Sequence, residues 1–473
     1  MTNREDVSAT GGGTAVVHLD PEQRARIGRA SRAAIPRSSH AAWTPGPDRA
    51  DPTALLTGQE TTRVPDLVPL RHERMLASPF TFYRGAAVIM AADLATMENT
   101  GLRVQACGDA HLSNFGGFAS PDRALIFDVN DFDETSPGPF EWDVKRLAAS
   151  FEIAARSRSF SVKETRGIVN RVTKSYREAM AGFAVMTNLD VWYARLDVEK
   201  VFSEYRSRLS AEEVKRFERN LAKAQGKDNM KAFSKLTELV DGEYRIKSDP
   251  PVVVPISDLF QGEDAAELRG WLEERIRVYR RTLQPDRRRL LESYRLVDFA
   301  RKVVGVGSVG TRCWIALMLG RDNADPLFLQ VKEAEASVLE AHAGKSGFAN
   351  HGQRVVEGQR LLQAASDILL GWTHTVGLDG VERDYYLRQL WDGKFSADID
   401  SMGPLALDIY ARLCGWTLAR GHARSGDRVA IAAYLGGGDA FDKAIAEFST
   451  AYADQNQRDY DTVSAALAAD APS

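Results

Sequence analysis

The sequence predicts an α+β fold that combines a mainly helical part with a smaller β-rich part. Three stretches of the chain lead to this prediction. Residues 141–240 carry apolar side chains at helical spacing, and the same spacing returns from residue 396 to the end. Between them, residues 297–395 hold short apolar runs around a glycine-rich turn, which is typical of strands joined by tight connections.

Composition argues against several classes of function. The chain has 473 residues, and its 44% apolar and 27% charged residues are typical of an ordinary globular protein. The net charge of −4 gives no electrostatic reason to expect binding to nucleic acid or to an anionic membrane. Cys107, Cys313 and Cys414 form no CxxC pair, and no apolar run suits a membrane span or a signal peptide. We therefore expect a cytoplasmic protein.

The composition and the spacing of apolar residues change along the chain and divide it into four predicted units. The first is rich in Gly, Ala, Arg, Pro, Ser and Thr, and its only periodic stretch is a short helix near PEQRARIGRASRAA. A later helix begins at Ser78-Pro79 and ends near Gly101. The units are a partly disordered arm (1–65), a helical lobe (66–296), a β-rich lobe (297–395) and C-terminal helices that pack on the helical lobe (396–473).

The densest cluster of polar side chains follows two predicted strands, LRVQAC and ALIFDV. Acidic residues at a strand end are costly in a core, so they should face a cleft or bind a cation. Turn formation explains one or two such residues, but it explains the whole ordered series poorly. The cluster consists of Asp109, His111 and Asn114 in the loop GDAHLSN, and of Asp128, Asn130, Asp131, Asp133 and Glu134 in LIFDVNDFDE.

Phosphoryl transfer from a nucleotide needs groups of these kinds. One carboxylate must position or deprotonate the acceptor hydroxyl, and hard oxygen ligands must hold Mg²⁺. An aspartate followed five residues later by an asparagine, and then by a strand that ends in aspartates, supplies both.

A second cluster lies roughly two hundred residues further on, at the turn GVGSVG. Glycines let backbone N–H groups approach phosphate oxygens, although this spacing alone most often marks a hairpin turn. The turn leads into the strand-like run RCWIALML rather than into a helix, which disfavours a Rossmann dinucleotide site. The predicted phosphate-binding residues are Gly305, Gly307, Ser308 and Gly310.

A lysine follows this turn at the end of the next apolar run, PLFLQVKEA. From a strand end, Lys332 can offer its charge to the α- and β-phosphates of a nucleotide. The helix after it offers Glu357 as an ion-pair partner for the lysine, and Glu333, Glu335 and Glu340 compete for that role. The strand DYYLRQLW would then reach the adenine.

The loop at Asp109 resembles the aminoglycoside- and choline-kinase-like branch of the protein-kinase fold. That branch has a Gly-Asp-x-His-x-x-Asn loop, followed by a strand that leads into an Asp-aromatic-Asp motif. The resemblance implies a two-lobe, kinase-like fold. It also implies that Asp109 is the catalytic base and that Asn114 and Asp131 are Mg²⁺ ligands.

The same resemblance suggests roles for four neighbouring residues. Asp133 would be a further metal ligand. Either Asp131 or Asp128 could be the main aspartate ligand of the metal. Asp143, in GPFEWDVKRLA, would brace the catalytic loop. His111 is either a catalytic group or a hydrogen-bond partner that braces the loop.

The two clusters occur in the reverse of the order usual in kinases, where the glycine-rich loop and the lysine come first. We therefore predict a circularly permuted fold, which is tolerable when chain termini lie close together at a surface. In that case the helix in YARLCGWTLARGHARSGD would be the one that normally leads into the catalytic loop. The helix at 81–99 is the competing candidate.

Taken together, several strings resemble the uncharacterised bacterial family catalogued as domain of unknown function 2252. They are SPFTFYRGAA, CGDAHLSNFGGF, NDFDETSPGPFEWDVKRLAAS, KVVGVGSVGTR, LQVKEA and LARGHARSGD, and they run from about Arg71 to Tyr460. The family name supplies no activity. Within these strings Arg84 is either a contact for an anionic substrate or phosphate or a structural ion pair. His422 and Arg424 are either site residues or helix-end packing.

The predicted function is an ATP- and Mg²⁺-dependent, kinase-like phosphotransferase that acts on a small-molecule hydroxyl. Its partners would be a nucleotide and an unidentified small-molecule acceptor, with no nucleic acid and no membrane. One alternative on the same fold is transfer of AMP, and another is a nucleotide-binding protein that has lost catalysis. A metal-dependent hydrolase built on His111 and the aspartates is the third, but it leaves Lys332 and the glycine-rich turn unexplained.

Overall fold

The computed structural model describes residues 18–225, 229–260, 265–377, 379–390 and 395–469. Helices and strands are mixed along the chain, so the α+β class predicted from the sequence is confirmed. Within the described ranges, no helix combines the length and the apolar composition that a membrane crossing requires.

Helices make up most of the described chain. They are α1 (Pro21–Ala34), α2 (Pro52–Gly58), α3 (Val68–Met75), α4 (Pro79–Gly85), α5 (Ala87–Ala95), α6 (Phe140–Ser157), α7 (Val162–Val185), α8 (Asn188–Tyr193), α9 (Val198–Tyr205), α10 (Ala211–Gln225), α11 (Asn229–Leu236), α12 (Ile256–Leu259), α13 (Ala265–Arg280), α14 (Pro285–Leu291), α15 (Glu340–Ala343), α16 (His351–Leu362), α17 (Pro404–Ser425), α18 (Arg428–Leu435) and α19 (Ala440–Ala469).

Within the described residues the strands form four antiparallel sheets, with the orders β1-β4, β14-β2-β3-β5, β6-β7 and β12-β13-β11-β10-β9-β8. They are β1 (Arg103–Ala106), β2 (Phe115–Ala119), β3 (Leu125–Val129), β4 (Ser136–Pro139), β5 (Leu196–Asp197), β6 (Thr237–Val240), β7 (Glu243–Ile246), β8 (Val253–Pro255), β9 (Arg295–Lys302), β10 (Cys313–Leu319), β11 (Pro326–Ala334), β12 (Gly371–Val376), β13 (Glu382–Gln389) and β14 (Phe395–Ser396).

The N-terminal region differs from the partly disordered arm that composition suggests. The predicted helix near PEQRARIGRASRAA is confirmed as α1, which begins at a capping box on Asp20. It packs so closely on α18 that a Cβ at Gly28 would lie 2.0 Å from a backbone oxygen of Ala430. Arg49 ties the region to Asp93 and Asp459 with contacts of 2.7 and 2.6 Å. These partners are distant in sequence, so composition could not reveal them. Residues 1–17 lie outside the described residues.

The helix predicted to begin at Ser78-Pro79 is confirmed, with one interruption. Ser78 forms a capping box at the start of α4, and Pro79 is its first residue. The chain then breaks at Ala86 before α5, so the predicted single helix is two. Both predicted strands around the polar loop are present as β1 and β3. The strand β2 between them was not predicted, because its two glycines hide the apolar alternation.

The helical core lies beneath the polar loop. It is built from α6, α7, α17 and α19, and nearly every residue of α6 is buried. Helices α7 and α17 approach so closely that a Cβ at Gly415 would lie 2.3 Å from a backbone oxygen of Val172. This packing gives the polar loop a rigid base.

The six-stranded sheet carries the glycine-rich turn and the lysine. The glycine-rich turn (residues 303–312) joins β9 to β10, and Lys332 lies on the neighbouring strand β11. Helices α13 and α14 cover one face of the sheet through apolar side chains that include Leu272, Tyr279 and Leu291. The structure thus differs from the predicted boundary at residue 296, since helices expected in the helical lobe pack on this sheet. Apolar periodicity shows which helix face is buried but not which surface buries it.

Candidate functional site

The two polar clusters found in the sequence meet in one cleft. One wall comes from the loop after β1 and the segment after β3, and the other from the glycine-rich turn and the end of β11. Predicted site residues that line the cleft are Arg84, Asp109, His111, Asn114, Asp131, Asp133, Gly305, Gly307 and Ser308. The fold therefore brings together side chains that stand roughly two hundred residues apart in the sequence.

Asp109 is held at the cleft by an arginine that the sequence analysis missed. Arg146 donates from Nε to Asp109 Oδ1 at 2.7 Å. The same guanidinium donates to the Tyr83 carbonyl at 3.0 Å and stacks 4.5 Å from the centre of the Tyr83 ring. Arg146 is the third residue after Asp143 on α6, so both side chains face the same loop. The second carboxylate oxygen of Asp109 thus stays on the side of the cleft, 3.7 Å from His111 Nε2.

The loop between β1 and β2 is fixed from below by Asp143. Its carboxylate accepts hydrogen bonds from the backbone N–H groups of Cys107 and Gly108 at 2.6 and 3.0 Å. Asp143 is fully buried, and the bracing role predicted for it is confirmed. His422 contacts the same carboxylate at 3.1 Å and Tyr176 Oη at 2.8 Å. His422 is therefore part of the packed support and does not line the cleft.

His111 is a neutral side chain with a structural hydrogen bond. Its Nδ1 accepts a hydrogen bond from the Ser113 backbone N–H at 3.2 Å. Burial lowers the pKa of His111 to about 3, and the nearby Asp109 carboxylate only partly opposes the shift. A neutral imidazole with Nδ1 occupied carries its proton on Nε2, on the side of Asp109. This geometry favours the bracing role over proton transfer at neutral pH.

Lys332 pairs with Asp133 rather than with a glutamate. Its Nζ lies 2.5 Å from Asp133 Oδ2, and Tyr386 Oη donates to Oδ1 at 2.6 Å. Burial alone would raise the pKa of Asp133, but the Lys332 ammonium and these hydrogen bonds lower it to about 2. Burial alone would lower the pKa of Lys332, but the Asp133 carboxylate raises it well above its ordinary value. Both groups are therefore charged.

Two of the glutamates considered as partners of Lys332, Glu357 and Glu333, pair with arginines instead. Glu357 pairs with Arg360 on its own helix at 3.0 Å and does not line the cleft. Glu333 lies on the same strand as Lys332 and pairs with Arg312 and Arg383. Successive strand residues point to opposite faces, so Glu333 cannot turn to its neighbour. Glu357 is therefore not part of the cleft.

Asp128 is a core residue and not a cleft residue. Its two carboxylate oxygens each lie 2.5 Å from Arg420, and one accepts a hydrogen bond from the Ala364 N–H at 2.8 Å. Asp128 and Arg420 are each 1% exposed, which leaves no room for a metal ion between them and solvent. Asp131 lines the cleft instead, so the geometry decides against Asp128 between these two rivals.

Two arginines aim charge into the cleft without a full set of partners. Among the described residues the side chain of Arg84 has no hydrogen-bond partner, and its Nε is buried. Burial lowers the pKa of Arg84, and the carboxylates of Asp109 and Asp131 oppose that shift. Arg63, which the sequence analysis missed, lies across Gly310 and also has a buried, unpartnered Nε. A buried guanidinium that lacks some of its hydrogen-bond partners is costly, so both side chains are suited to an anionic ligand.

The glycine-rich turn is fastened to an N-terminal stretch that we call the covering segment (residues 62–74). Arg74 donates to the Gly305 carbonyl at 3.0 Å, and the Val64 N–H donates to the Gly310 carbonyl at 2.8 Å. Arg63 donates to the Val309 carbonyl, and Arg312 of the turn donates to the Thr62 carbonyl. Both Gly305 and Gly310 have positive φ, at 68° and 91°, which side-chain-bearing residues rarely adopt.

The oxygen atoms suited to a metal are few. No group of three His, Cys, Asp or Glu side chains that could hold a metal ion occurs in the part of the chain that the structure describes. Asn114 donates from Nδ2 to the Asp109 carbonyl at 2.8 Å, which leaves its Oδ1 available to a ligand, and both Asn114 and Asp131 line the cleft. One or two protein oxygens fit Mg²⁺, which keeps several waters and takes phosphate oxygens, better than they fit a fully protein-bound metal.

Comparison with protein families identifies the chain. The model of the family described as "Uncharacterized protein conserved in bacteria (DUF2252)" matches residues 63–466. The chain belongs to this family. Comparisons with the curated proteins and with the solved structures return no match. For this DUF2252 protein the site must therefore be interpreted from its own geometry. The match begins at Arg63, so it includes nearly all of the covering segment.

Glu134 gives the DUF2252 cleft an unusual acid. Its Oε2 accepts a hydrogen bond from the Val338 N–H at 2.7 Å, and burial raises its pKa from 4.5 to about 7. Between these two values the unfolded chain releases a proton that the folded chain keeps, so stability falls as pH rises. We expect Glu134→Gln to become more stable relative to the unmodified protein by about 1–3 kcal/mol between pH 5 and pH 8. Urea unfolding at both pH values measures this difference.

The matched control for this prediction is Glu357→Gln. Glu357 is 35% exposed in its side chain and has an ordinary surface partner in Arg360. Removal of this half-exposed pair should change the free energy of unfolding by less than about 1 kcal/mol. A stability difference between Glu134→Gln and the unmodified protein that stays constant with pH would show that Glu134 ionises normally in the folded protein.

The remaining sequence predictions for the DUF2252 site concern Arg424 and the adenine strand. Arg424 donates to the backbone carbonyls of Gln363 and Arg360 and lies outside the cleft, which favours the packing interpretation. Strand β13, expected to reach the adenine, supplies none of the cleft-lining residues within its described range. Its Tyr386 contacts the cleft only indirectly, through Asp133.

Proposed function

We propose that this DUF2252 protein is an ATP- and Mg²⁺-dependent phosphotransferase that acts on a small-molecule hydroxyl. The observation that carries the proposal is the ion pair between Asp133 and Lys332, two residues 199 positions apart. It joins the loop that offers a base and metal ligands to the sheet that offers a glycine-rich turn and a lysine. Phosphoryl transfer depends on positioning and charge stabilisation, and this cleft combines groups for both.

The topology of the six-stranded sheet supports a kinase-like lobe. The glycine-rich turn joins β9 and β10, the lysine lies on the next strand β11, and α16 follows before β12 and β13. Protein kinases place a glycine-rich loop, a third-strand lysine and a helix in the same succession. The pairing of Lys332 with Asp133 departs from the lysine–glutamate pair of those enzymes.

The position of α17 supports the proposed circular permutation. Its last residue, Ser425, accepts a hydrogen bond at Oγ from the N–H of Gln105 in β1 at 3.2 Å. A Cβ at Gly426 would lie 2.6 Å from the side chain of Val104. A chain that ran from the end of α17 directly into β1 would restore the usual order, in which a helix leads into the catalytic loop.

The residues of the cleft suit the steps of such a reaction. Asp109 is oriented through Oδ1 by Arg146, which leaves Oδ2 to take the proton of the acceptor hydroxyl. Lys332, Arg84 and the backbone N–H groups of the glycine-rich turn would bind phosphate oxygens and offset their charge. Asn114 and Asp131 would hold the metal ion. Mg²⁺-ATP supplies the transferable phosphoryl group, and its metal ion offsets negative charge on the phosphates.

Transfer of AMP is the second candidate, and one observation favours it. The cleft extends toward Gln59, Arg63 and Glu335, whereas β13, the strand expected to reach the adenine, contributes no described lining residue. A nucleotide whose base lay on the Arg63 side would bring a different phosphate near Asp109. Product analysis separates the two reactions, because phosphoryl transfer releases ADP and nucleotidyl transfer releases pyrophosphate.

Calorimetric titration with ATP, with and without Mg²⁺, tests the proposed site. We expect Mg²⁺-dependent binding that Lys332→Ala and Asp131→Ala each weaken by about tenfold or more, since each removes a charge-assisted contact. Lys163→Ala, at an exposed position of α7, is the control and should bind like the unmodified protein. Circular dichroism shows whether each variant is folded. Failure of the folded, unmodified protein to bind ATP would exclude both transferase functions.

A further inference from the structure

A second cavity lies between α9, α10 and α17. It is on the far side of the loop between β1 and β2, which carries Asp109 and is called the catalytic loop below. Its volume is about 170 Å³, and it is separate from the cleft, with which it shares no lining residue. Its wall is almost wholly apolar. Representative wall residues are Phe127, Val198, Phe202, Phe217, Met402 and Leu413.

The size and the walls of this cavity favour a ligand over empty space. The cavity is open to solvent on one side, so its apolar wall is in contact with water. Moving an apolar chain from water onto such a wall is favourable. An apolar cavity of about 150 Å³ in another protein binds small apolar molecules. The space between α9, α10 and α17 is of the same size.

The mouth of the cavity is polar, which identifies the kind of ligand more closely. Glu213, Arg216 and Asn220 of α10 face Asp398 and Ser401 across it. A hydrogen bond of 2.5 Å from Arg216 to the Ser401 carbonyl joins the two sides. An apolar interior with a polar mouth suits an amphiphile, whose chain is buried and whose head group stays at the surface.

One wall residue connects the cavity to the catalytic loop. Tyr410 presents its ring to the cavity, and its hydroxyl donates to the carbonyls of Leu112 and Phe115 at 2.7 and 2.9 Å. These two carbonyls flank Asn114. The ring of Phe127 meets the Tyr410 ring edge-on, with centres 5.7 Å apart. A ligand in the cavity would therefore press on the residue that supports the loop from behind.

We propose that this cavity is a binding site for a single-chain amphiphile, such as a fatty acid, and that its occupancy steadies the catalytic loop through Tyr410. Binding to the cavity does not rest on the proposed transferase function, because the walls and the mouth lie outside the cleft. The coupling concerns the order of the loop backbone, which can be measured without a nucleotide.

Calorimetric titration with decanoate tests the binding. We expect saturable binding of one equivalent of decanoate and no binding of butyrate, whose chain is too short to fill the cavity. Ala406→Trp fills the cavity from α17 and should weaken binding at least tenfold. Leu405→Trp is the matched control, because Leu405 is 39% exposed and does not line the cavity.

A second filling variant, Val201→Trp on α9, keeps the test decisive if Ala406→Trp does not fold. Absence of saturable binding by the unmodified protein would overturn the proposal. So would equal binding by the folded filling variants and the Leu405 control, because the fatty acid would then occupy another surface.

Hydrogen exchange of the backbone amides of residues 110–116 tests the coupling. We expect saturating decanoate to slow their exchange in the unmodified protein. Tyr410→Phe keeps the ring that lines the cavity but removes the hydroxyl that reaches the loop. This variant should bind decanoate normally and lose the slowing. Unchanged exchange in the unmodified protein would overturn the role assigned to Tyr410.

Discussion

Asp109→Asn should lower the turnover of Mg²⁺-ATP by about 100-fold or more, because a positioned general base contributes factors of 10² to 10⁴. Asparagine keeps the shape of the side chain and still accepts the hydrogen bond that Arg146 donates to Oδ1. The change therefore removes the proton acceptor and little else. ATP affinity should stay within about threefold, since Lys332, Arg84 and the metal ligands are untouched. Release of ADP from Mg²⁺-ATP measures turnover, and calorimetry measures affinity.

The control is Asp122→Asn, at an exposed aspartate between β2 and β3. It makes the same chemical change outside the cleft and should leave turnover unaltered. Equal turnover by the Asp109 and Asp122 variants would show that Asp109 is not the base. A loss of ATP affinity as large as the loss of turnover would instead assign Asp109 to nucleotide binding.

Asp128→Ala should lower the free energy of unfolding by about 3–5 kcal/mol, because removal of one partner leaves a buried charge without compensation. Arg420 is the charge concerned. Its Nε and one terminal nitrogen already lack hydrogen-bond partners among the described residues, so Asp128 is its main support. The change also frees the Ala364 N–H. Urea denaturation followed by circular dichroism measures the effect.

Two further variants separate the buried charge from general damage. Asp408→Ala breaks a half-exposed pair with Arg171 and should cost less than about 1 kcal/mol. The double change Asp128→Leu with Arg420→Met should recover much of the loss, because it removes both charges and fills the space. An Asp128→Ala variant that is no less stable than Asp408→Ala would contradict the structural role and reopen Asp128 as a metal ligand.

Features that depend on neighbours in the sequence were predictable. The capping residues Asp20 and Ser78 mark helix starts because their partners lie three residues away. The glycine-rich turn and the strand that carries Lys332 are also local patterns. Asp143 was placed beneath the loop by its resemblance to a family motif, and its two hydrogen bonds confirm that position.

Features that depend on distant partners were not predictable. Asp128 and Asp131 look alike in sequence, and only Arg420, 292 residues away, assigns Asp128 to the core. Glu357 lies on a helix of suitable position, yet α16 turns its side chain away from the cleft, where it pairs with Arg360 on the same helix face. The pairing of Lys332 with Asp133 depends on how the six-stranded sheet meets the segment after β3. Apolar periodicity shows which face of a helix or strand is buried, but it does not show which other element packs against that face.

The covering segment has a consequence for the residence time of any ligand that lies beneath the glycine-rich turn. Four hydrogen bonds fasten the turn to residues 62–74, two of them from the side chains of Arg63 and Arg74. Each such bond contributes about 1 kcal/mol net, so together they correspond to roughly a thousandfold slower opening of the turn. The dissociation rate of a bound ligand would then depend on the covering segment, which lies outside the sheet that carries the turn. In this protein residues 62–74 would set the dissociation rate.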